Sequence, residues 1–341
     1  MIVRTTCLLC ERLLTPREDG LQDHPEVDDC EVIVTDRFGV AVDLDDHVKP
    51  VADDDGIIDL QTYPFVDEVL DEIFHAEGLE RLGGISSGRG WSSISLFQKC
   101  PYAWHRRHIA QAKPFIPIEA PALAVGSLIH VFLAVLYMKR IVADYPLTPE
   151  QIYDRARQKA NPDYVAEAWR VFSAYRLYYT YDNFQPLAVE HDLKDPRTGE
   201  SCRLDTIVYF PEEAPMRLPG TYIMEHKSSG RFDKATLEGW SNDGEVLGQV
   251  MLWKRLGLDK RFGRLQGVVM NILGKQKEPE FHRTIVSPIS WQIEQHREDL
   301  KRWEALIQLA RSTGSFPRAR HSCVGRFGMC EWWDHCATGD G

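Results

Sequence analysis

No internal repeat and no low-complexity tract breaks up this chain of 341 residues, which excludes solenoid arrays and compositionally disordered or fibrous architectures. Long charge-free runs are almost as scarce. One stretch, Ala120 to Met138, holds no Lys, Arg, Asp or Glu and is long enough to span a bilayer. It carries Pro121, Gly126, Ser127 and His130, and no second such stretch exists. A helix buried in a protein core is therefore expected, with no membrane partner. The opening residues Met1 to Cys7 lack the apolar run of an export signal, so a cytoplasmic setting is expected. In a reducing compartment the eight cysteines are expected to hold metal or do chemistry rather than pair. Basic residues are scarce in one place only. Residues 1–80 hold 5 of them against 22 acidic ones, while the remainder holds 35 basic and 29 acidic. The net charge of -11 thus belongs to an acidic segment attached to a mildly basic body, which is compatible with DNA as a partner.

Residues 1–85 read as a separate acidic unit, with a hairpin pattern in VIVTDRFGVAVDL, a helix in FVDEVLDEIFHAEGL and a flexible join at GGISSGRG. Residues 86–341 form the body. Helices are expected through SLFQKCPYAWHRRHI, where Pro101 kinks or restarts the helix, through the apolar stretch with His130, and over about 163–182, 244–256 and 291–312. Between them the apolar period changes to two. LAVEHDL, CRLDTIVYF, GTYIMEHKSS, GRLQGVVMNILG and EFHRTIVSPI read as strands. The fold class is α/β, a mixed central sheet flanked by helices.

One acid, Asp205, interrupts an otherwise apolar strand, and Glu225 and Lys227 lie two apart at the end of the next. Strand period places Glu225 and Lys227 on one face, and hairpin pairing would bring Asp205 beside Glu225. Two carboxylates repel unless a hard divalent cation, Mg or Mn, lies between them. With a lysine to hold the scissile phosphate, such a group supports metal-assisted phosphodiester hydrolysis. A solvated hairpin with charged residues on its open face has the same pattern.

Asp205, Glu225-His226-Lys227 and the helical Gln249 resemble the motifs of the PD-(D/E)XK nuclease superfamily, and Gly126 with His130 in GSLIH resembles the Gly-x-x-x-His element of its RecB-like branch. The resemblance implies a restriction-endonuclease-like core and a Mg- or Mn-dependent DNA exonuclease. It implies catalytic roles for Asp205, Glu225, Lys227 and Gln249 and metal ligation by His130, Asp205 and Glu225, with Glu190 at a further acidic position. The usual Gln-x-x-x-Tyr is here QVMLW, with Trp253 in place of the tyrosine. Ser93, Ser95, Cys100, Pro101 and Trp104 match the opening of the branch, whose iron–sulfur members place one cysteine before the core and three after it. By that resemblance Cys100, Cys323, Cys330 and Cys336 hold a [4Fe-4S] cluster, with zinc as the alternative. Six residues separate Cys323 from Cys330 where the family often has two.

Cys202, inside a strand, is expected to be a small core residue. Cys7 and Cys10, completed by His24 or Cys30, would make a structural zinc knuckle in the N-terminal unit. Trp91, Tyr102, Trp104, Arg106 and Arg107 are expected to line a DNA-strand channel by stacking and phosphate contacts. The implied setting is recombination, repair, phage DNA processing or CRISPR adaptation in a bacterium or phage-infected host cell, with a helicase, recombination or adaptation protein as a possible partner. The alternative is a catalytically inactive iron–sulfur scaffold that binds DNA.

Overall fold

The computed structural model describes residues 63–82, 90–112, 120–211, 217–231, 233–325 and 328–338, and a strand pair near the N-terminus. The chain divides into two compact units, Met1–Gln61 and Thr62–Gly341. In the first, β1 (Thr15–Pro16) pairs antiparallel with β2 (Gln22–Asp23). The proposed zinc ligands Cys7, Cys10, His24 and Cys30 and the hairpin pattern over 32–44 lie outside the described residues.

The second unit opens with α1 (Val66–Ala76), followed by α2 (Trp91–Lys99), α3 (Pro101–His108), α4 (Pro121–Ile141), α5 (Pro149–Lys159) and α6 (Pro162–Tyr178). Three strands come next, β3 (Gln185–Lys194), β4 (Ser201–Phe210) and β5 (Gly220–Ser229). After α7 (Lys234–Gly239), α8 (Gly244–Leu256) and α9 (Asp259–Phe262), the sheet is completed by β6 (Leu265–Gly274) and β7 (Phe281–Val286). The chain closes with α10 (Ser290–Thr313), the small pair β8 (Val324–Gly325) and β9 (Gly328–Met329), and α11 (Trp333–Thr338).

The five long strands form one mixed sheet in sequential order, antiparallel except for β5 and β6, which run parallel around the α7–α9 crossover. This is the mixed sheet flanked by helices that the changing apolar period predicts. Alternate residues of β5 face opposite layers: Tyr222 and Met224 join the larger core with α4 and α6, and Ile223 joins the smaller one with Val246, Val250 and Trp253 of α8. Among the described residues, α4 is the helix long and apolar enough to cross a membrane. Ten of its residues are buried, from Ala124 to Tyr137, and they pack in the larger core, so it is a core helix here.

One boundary and one helix differ from the sequence pattern. Val66, Val69, Leu70, Ile73 and Phe74 of α1 are buried in the same core as α4 and α5, so this helix belongs to the second unit and not to an acidic unit ending near residue 85. Helix α5 has no counterpart in the expected elements, because its apolar periodicity is thin. Its start was legible nonetheless: Thr148 and Gln151 form a reciprocal capping box with Pro149 in the first turn, a signature of helix initiation.

Candidate active site

The hydrogen-bonded ladder between β4 and β5 ends at Thr206–Met224, one residue short of Asp205 and Glu225. Beyond it a backbone N–H of β5 bonds a side chain of β4 instead of its backbone. The main-chain N–H of His226 donates to Asp205 Oδ2 at 2.7 Å. On the neighbouring strand, Glu190 holds a left-handed backbone with φ 48°, which costs a non-glycine residue about 1–3 kcal/mol and persists where surrounding structure imposes it. Ligand atoms of His130, Glu190 and Asp205 all lie within 4.8 Å of one another, and His130 Nδ1 is 3.6 Å from Asp205 Oδ2. Two hard oxygen donors and one imidazole make a donor set suited to a divalent cation.

The Glu225 and Lys227 side chains lie beside this group on the α8 side. Lys227 Nζ donates to Glu225 Oε1 at 2.6 Å and to Glu245 Oε2 at 2.7 Å. Gln249 Nε2 donates to Glu225 Oε2 at 2.6 Å, so both oxygens of this buried carboxylate are engaged. Trp253, one helical turn further on, is fully buried and donates its indole N–H to Asp259 Oδ1 at 2.6 Å. The residue at the usual tyrosine position therefore anchors α9.

Electrostatics separates the carboxylates. Burial works against ionisation of Asp205, but the charge and hydrogen bond of His130, with His226 and Lys227, outweigh it and hold this carboxyl below the usual range. The same pairing raises His130 against the effect of its burial. Burial and then the Asp205 charge push Glu190 up, and push Glu225 up to about 8. Burial also opposes the charge on Lys227, yet Glu225, Glu245 and Asp205 hold its pKa above the ordinary lysine value. Burial and mutual repulsion thus oppose full ionisation of Glu190 and Glu225 beside Asp205, and a divalent cation among these carboxyls would favour their charged forms.

Gly126 explains the small residue four positions before His130. A Cβ there would meet Ser228 Oγ at 3.2 Å, so glycine lets α4 approach β5 closely enough to bring His130 to Asp205. Gly126→Val is expected to cost about 1–3 kcal/mol and to lower activity further than its stability loss accounts for, because the helix carrying His130 shifts. Melting and metal titration of the same variant check this.

A polar network on the other face of β5 was missed in the sequence. His226 Nδ1 is 2.8 Å from Asn271 Nδ2, and Asn271 Oδ1 accepts from Arg283 Nε at 3.0 Å. Arg283 also donates to Tyr175 and to Asp182. A guanidinium only donates, so it fixes the Asn271 amide with its nitrogen toward His226. The signal was present: Asn271 interrupts an apolar strand as Asp205 does. Glu245 was also missed, since an exposed acid in the first turn of a helix reads as ordinary.

A groove of about 1450 Å³ runs over the site, and Trp91, His130, Glu190, Asp205 and Lys227 line it. The other expected strand-channel residues are not in it. Trp104 is buried and donates its indole N–H to Ser93 Oγ at 2.9 Å. Tyr102 is buried in a small core with Cys100, Ala103 and Trp332. Arg106 bonds the His335 ring at 2.8 Å and lies over Tyr102 and Trp332, and Arg107 pairs with Glu331. Tyr102, Trp104, Arg106 and Arg107 pack α2 and α3 against each other and against the C-terminal tail. The apolar bodies of such side chains gain more from that contact than from exposure in a channel.

In that small core Cys100, at the junction of α2 and α3, meets Cys330 and Cys336. The main-chain N–H of Cys330 donates to Cys323 O at 2.8 Å. Burial, with the Cys100 and Cys323 thiols among the further causes, raises the pKa of Cys330 and of Cys336. The structure thus brings Cys100 into one small core with Cys330 and Cys336, while among the described residues the group whose ligand atoms converge closely enough for a metal is His130, Glu190 and Asp205. Cys202 is half-buried against the smaller core, away from these four.

A family model described as the PD-(D/E)XK nuclease superfamily matches residues 91–337. Among solved structures, a protein from Eubacterium rectale described as "Putative exonuclease" is similar at 13% identity and a TM-score of 0.43, over 72% of this chain and 91% of that one. A search of curated proteins finds no match.

Proposed function

Because the chain belongs to the PD-(D/E)XK nuclease superfamily, we propose that this nuclease is a Mg- or Mn-dependent DNA exonuclease. The observation that carries the reading is the approach of His130, Glu190 and Asp205 ligand atoms within 4.8 Å, with Lys227 lining the same groove. His130, Glu190 and Asp205, joined by Glu225, would hold the ion, which supplies Lewis-acid charge to the scissile phosphate. Lys227, kept charged by its two carboxylates, donates to a phosphate oxygen. Gln249 holds Glu225 in place. Hydrolysis adds a water oxygen to phosphorus and breaks one P–O ester bond, and the departing oxygen takes up a proton. The intact Asp205, Glu225 and Lys227 support catalysis over a scaffold role.

The shared core of Cys100, Cys330 and Cys336 and the backbone bond from Cys330 to Cys323 support a second proposal, a [4Fe-4S] cluster held by Cys100, Cys323, Cys330 and Cys336, with zinc as the competing occupant; either would hold the tail to α2 and α3. A role in recombination, repair, phage DNA processing or CRISPR adaptation in the cytoplasm, beside a helicase or adaptation protein, rests on the resemblance of the motifs alone.

End-labelled linear DNA, single- and double-stranded, and circular single-stranded DNA, each with Mg or Mn, test the reading. Metal-dependent loss of linear DNA with the circle intact is expected; linear DNA that survives both metals would sink it. His130→Ala is expected to raise the metal concentration for half-maximal cleavage about 10- to 100-fold, and the parent to favour Mn, since imidazole binds Mn better than Mg. Coincident metal titrations of variant and parent would make His130 a packing residue only.

A further inference from the structure

In the structure both oxygens of the Glu225 carboxylate are engaged: Lys227 takes one and Gln249 the other. The ligand atoms that converge within 4.8 Å belong instead to His130, Glu190 and Asp205. On the reading above, an ion that recruits Glu225 displaces Lys227 from it. A lysine has four rotatable bonds and a strongly hydrated head, so an ammonium released at the edge of a groove turns toward water. Two neighbours keep it in place. Glu245 Oε2 lies 2.7 Å from Lys227 Nζ, and its side chain is 40% exposed where that of Glu225 is 2% exposed. The Trp240 ring lies 5.6 Å from the same ammonium.

The backbone fixes where Glu245 stands. It is the second residue of α8, and its N–H donates at 2.8 Å to the Asp243 side chain that caps the helix. Its carboxylate stays at the rim of the groove that Lys227 also lines. We propose that Glu245 is a positioning residue for the reaction: it retains the Lys227 ammonium over the groove when Glu225 turns to the ion. This inference rests on the metal-dependent reading of the site and adds to it a residue that acts on the lysine and not on the metal.

Two readouts test it, on the full chain. The first is amine acylation of Lys227 followed by mass spectrometry, with and without Ca, which binds such oxygen sites in place of Mg. In the parent, Lys227 stays protected in both conditions. In Glu245→Gln it is expected to stay protected without Ca and to become several-fold more reactive with Ca, because only then does Glu225 let go. The second is kinetics. Glu245→Gln is expected to lower kcat about tenfold, in keeping with loss of one charge-assisted hydrogen bond, with Ca affinity by calorimetry unchanged. Glu245→Asp, which keeps the charge at shorter reach, is expected to recover part of the loss. Equal protection of Lys227 in parent and Glu245→Gln with Ca bound overturns the proposal, as does a parent-like kcat. A fall in Ca affinity in Glu245→Gln overturns it too, by making Glu245 a ligand. Absence of Ca binding by the parent removes the metal-site reading itself, and this inference with it.

Discussion

Glu225→Gln is expected to lower DNA hydrolysis about a thousandfold or more, roughly 4 kcal/mol of lost transition-state stabilisation, and at the same time to raise the melting temperature of the metal-free protein. The two effects have one cause. Glu225 is 2% exposed, and burial, followed by the charge of Asp205, raises its pKa to about 8 from an ordinary 4.5. Folding therefore binds a proton at this group. The stability linked to it is fully present below about 4.5 and is lost as pH rises through about 8. A glutamine carries no charge at any of these values, so the gain from the substitution should be larger at pH 8.5 than at pH 5. The local hydrogen bonds can be kept. Lys227 retains Glu245, and Gln249 Oε1, a buried acceptor with no partner among the described residues, can turn to accept from the new amide. A gain of about 1–2 kcal/mol would show as a few degrees, at 2–4 °C per kcal/mol for a domain of this size. Melting curves at the two pH values, with and without Mn, check it; Mn should reverse the order of stabilities. Parent-like cleavage, or a melting temperature lowered at pH 8.5, would contradict the assignment.

The second large effect is expected at the opposite end of the molecule. If Cys100, Cys323, Cys330 and Cys336 share one cluster, Cys100→Ser and Cys330→Ser each release the same long loop. Closing a loop of this length stabilises by about 5 kcal/mol in the chain-entropy account, so each variant should melt about 10 °C lower or more. The double variant should melt near either single one, because the staple can be lost only once. Four independent core thiols would instead give small and additive losses. The anaerobically purified parent should be brown and each of the two variants bleached, while Cys202→Ser keeps the colour. A colourless parent with stoichiometric zinc would retain the staple and remove iron from it. Additive losses without bound metal would remove the staple as well. Salt bridges at the tail's surface contribute little by comparison: the Arg107–Glu331 pair is half-exposed on one side and more than a third exposed on the other, and such pairs are worth about 1 kcal/mol or less.

Much of this was legible in the chain. The alternation of apolar residues located five strands, and an acid in an apolar strand marked Asp205, because burying a charge is costly enough that it is kept only for a reason. Period two put Glu225 and Lys227 on one face without knowledge of the sheet. The glycine and histidine of GSLIH, and the order of motifs along the chain, pointed to α4 as the third wall. The expected channel residues that the structure keeps out of the groove share a cause. Trp104, Tyr102, Arg106 and Arg107 are residue types that serve a nucleic-acid channel and a packed helix junction equally well. Nothing within their own segment tells which, since the partners Trp332, His335, Phe316 and Glu331 lie more than two hundred residues away. Arg283 and Glu245 were missed for the same reason, each acting only through a residue on another strand or helix, whereas Asn271 carried its signal in its own apolar strand.

What the sequence alone determined were the local quantities: which segments bury one face, which turn, where a charge sits against the apolar pattern, and which cysteines lie close along the chain. These follow from backbone periodicity and transfer free energy, which act within a few residues. The tertiary structure decided everything that depends on meeting across the chain. It ended the β4–β5 ladder one residue before Asp205 and Glu225, gave Glu190 its left-handed backbone, assigned Lys227 two carboxylates, and drew α1 into the nuclease core. Such meetings are set by how whole layers pack, and a packing contact has no length scale in sequence, so no window along the chain contains it.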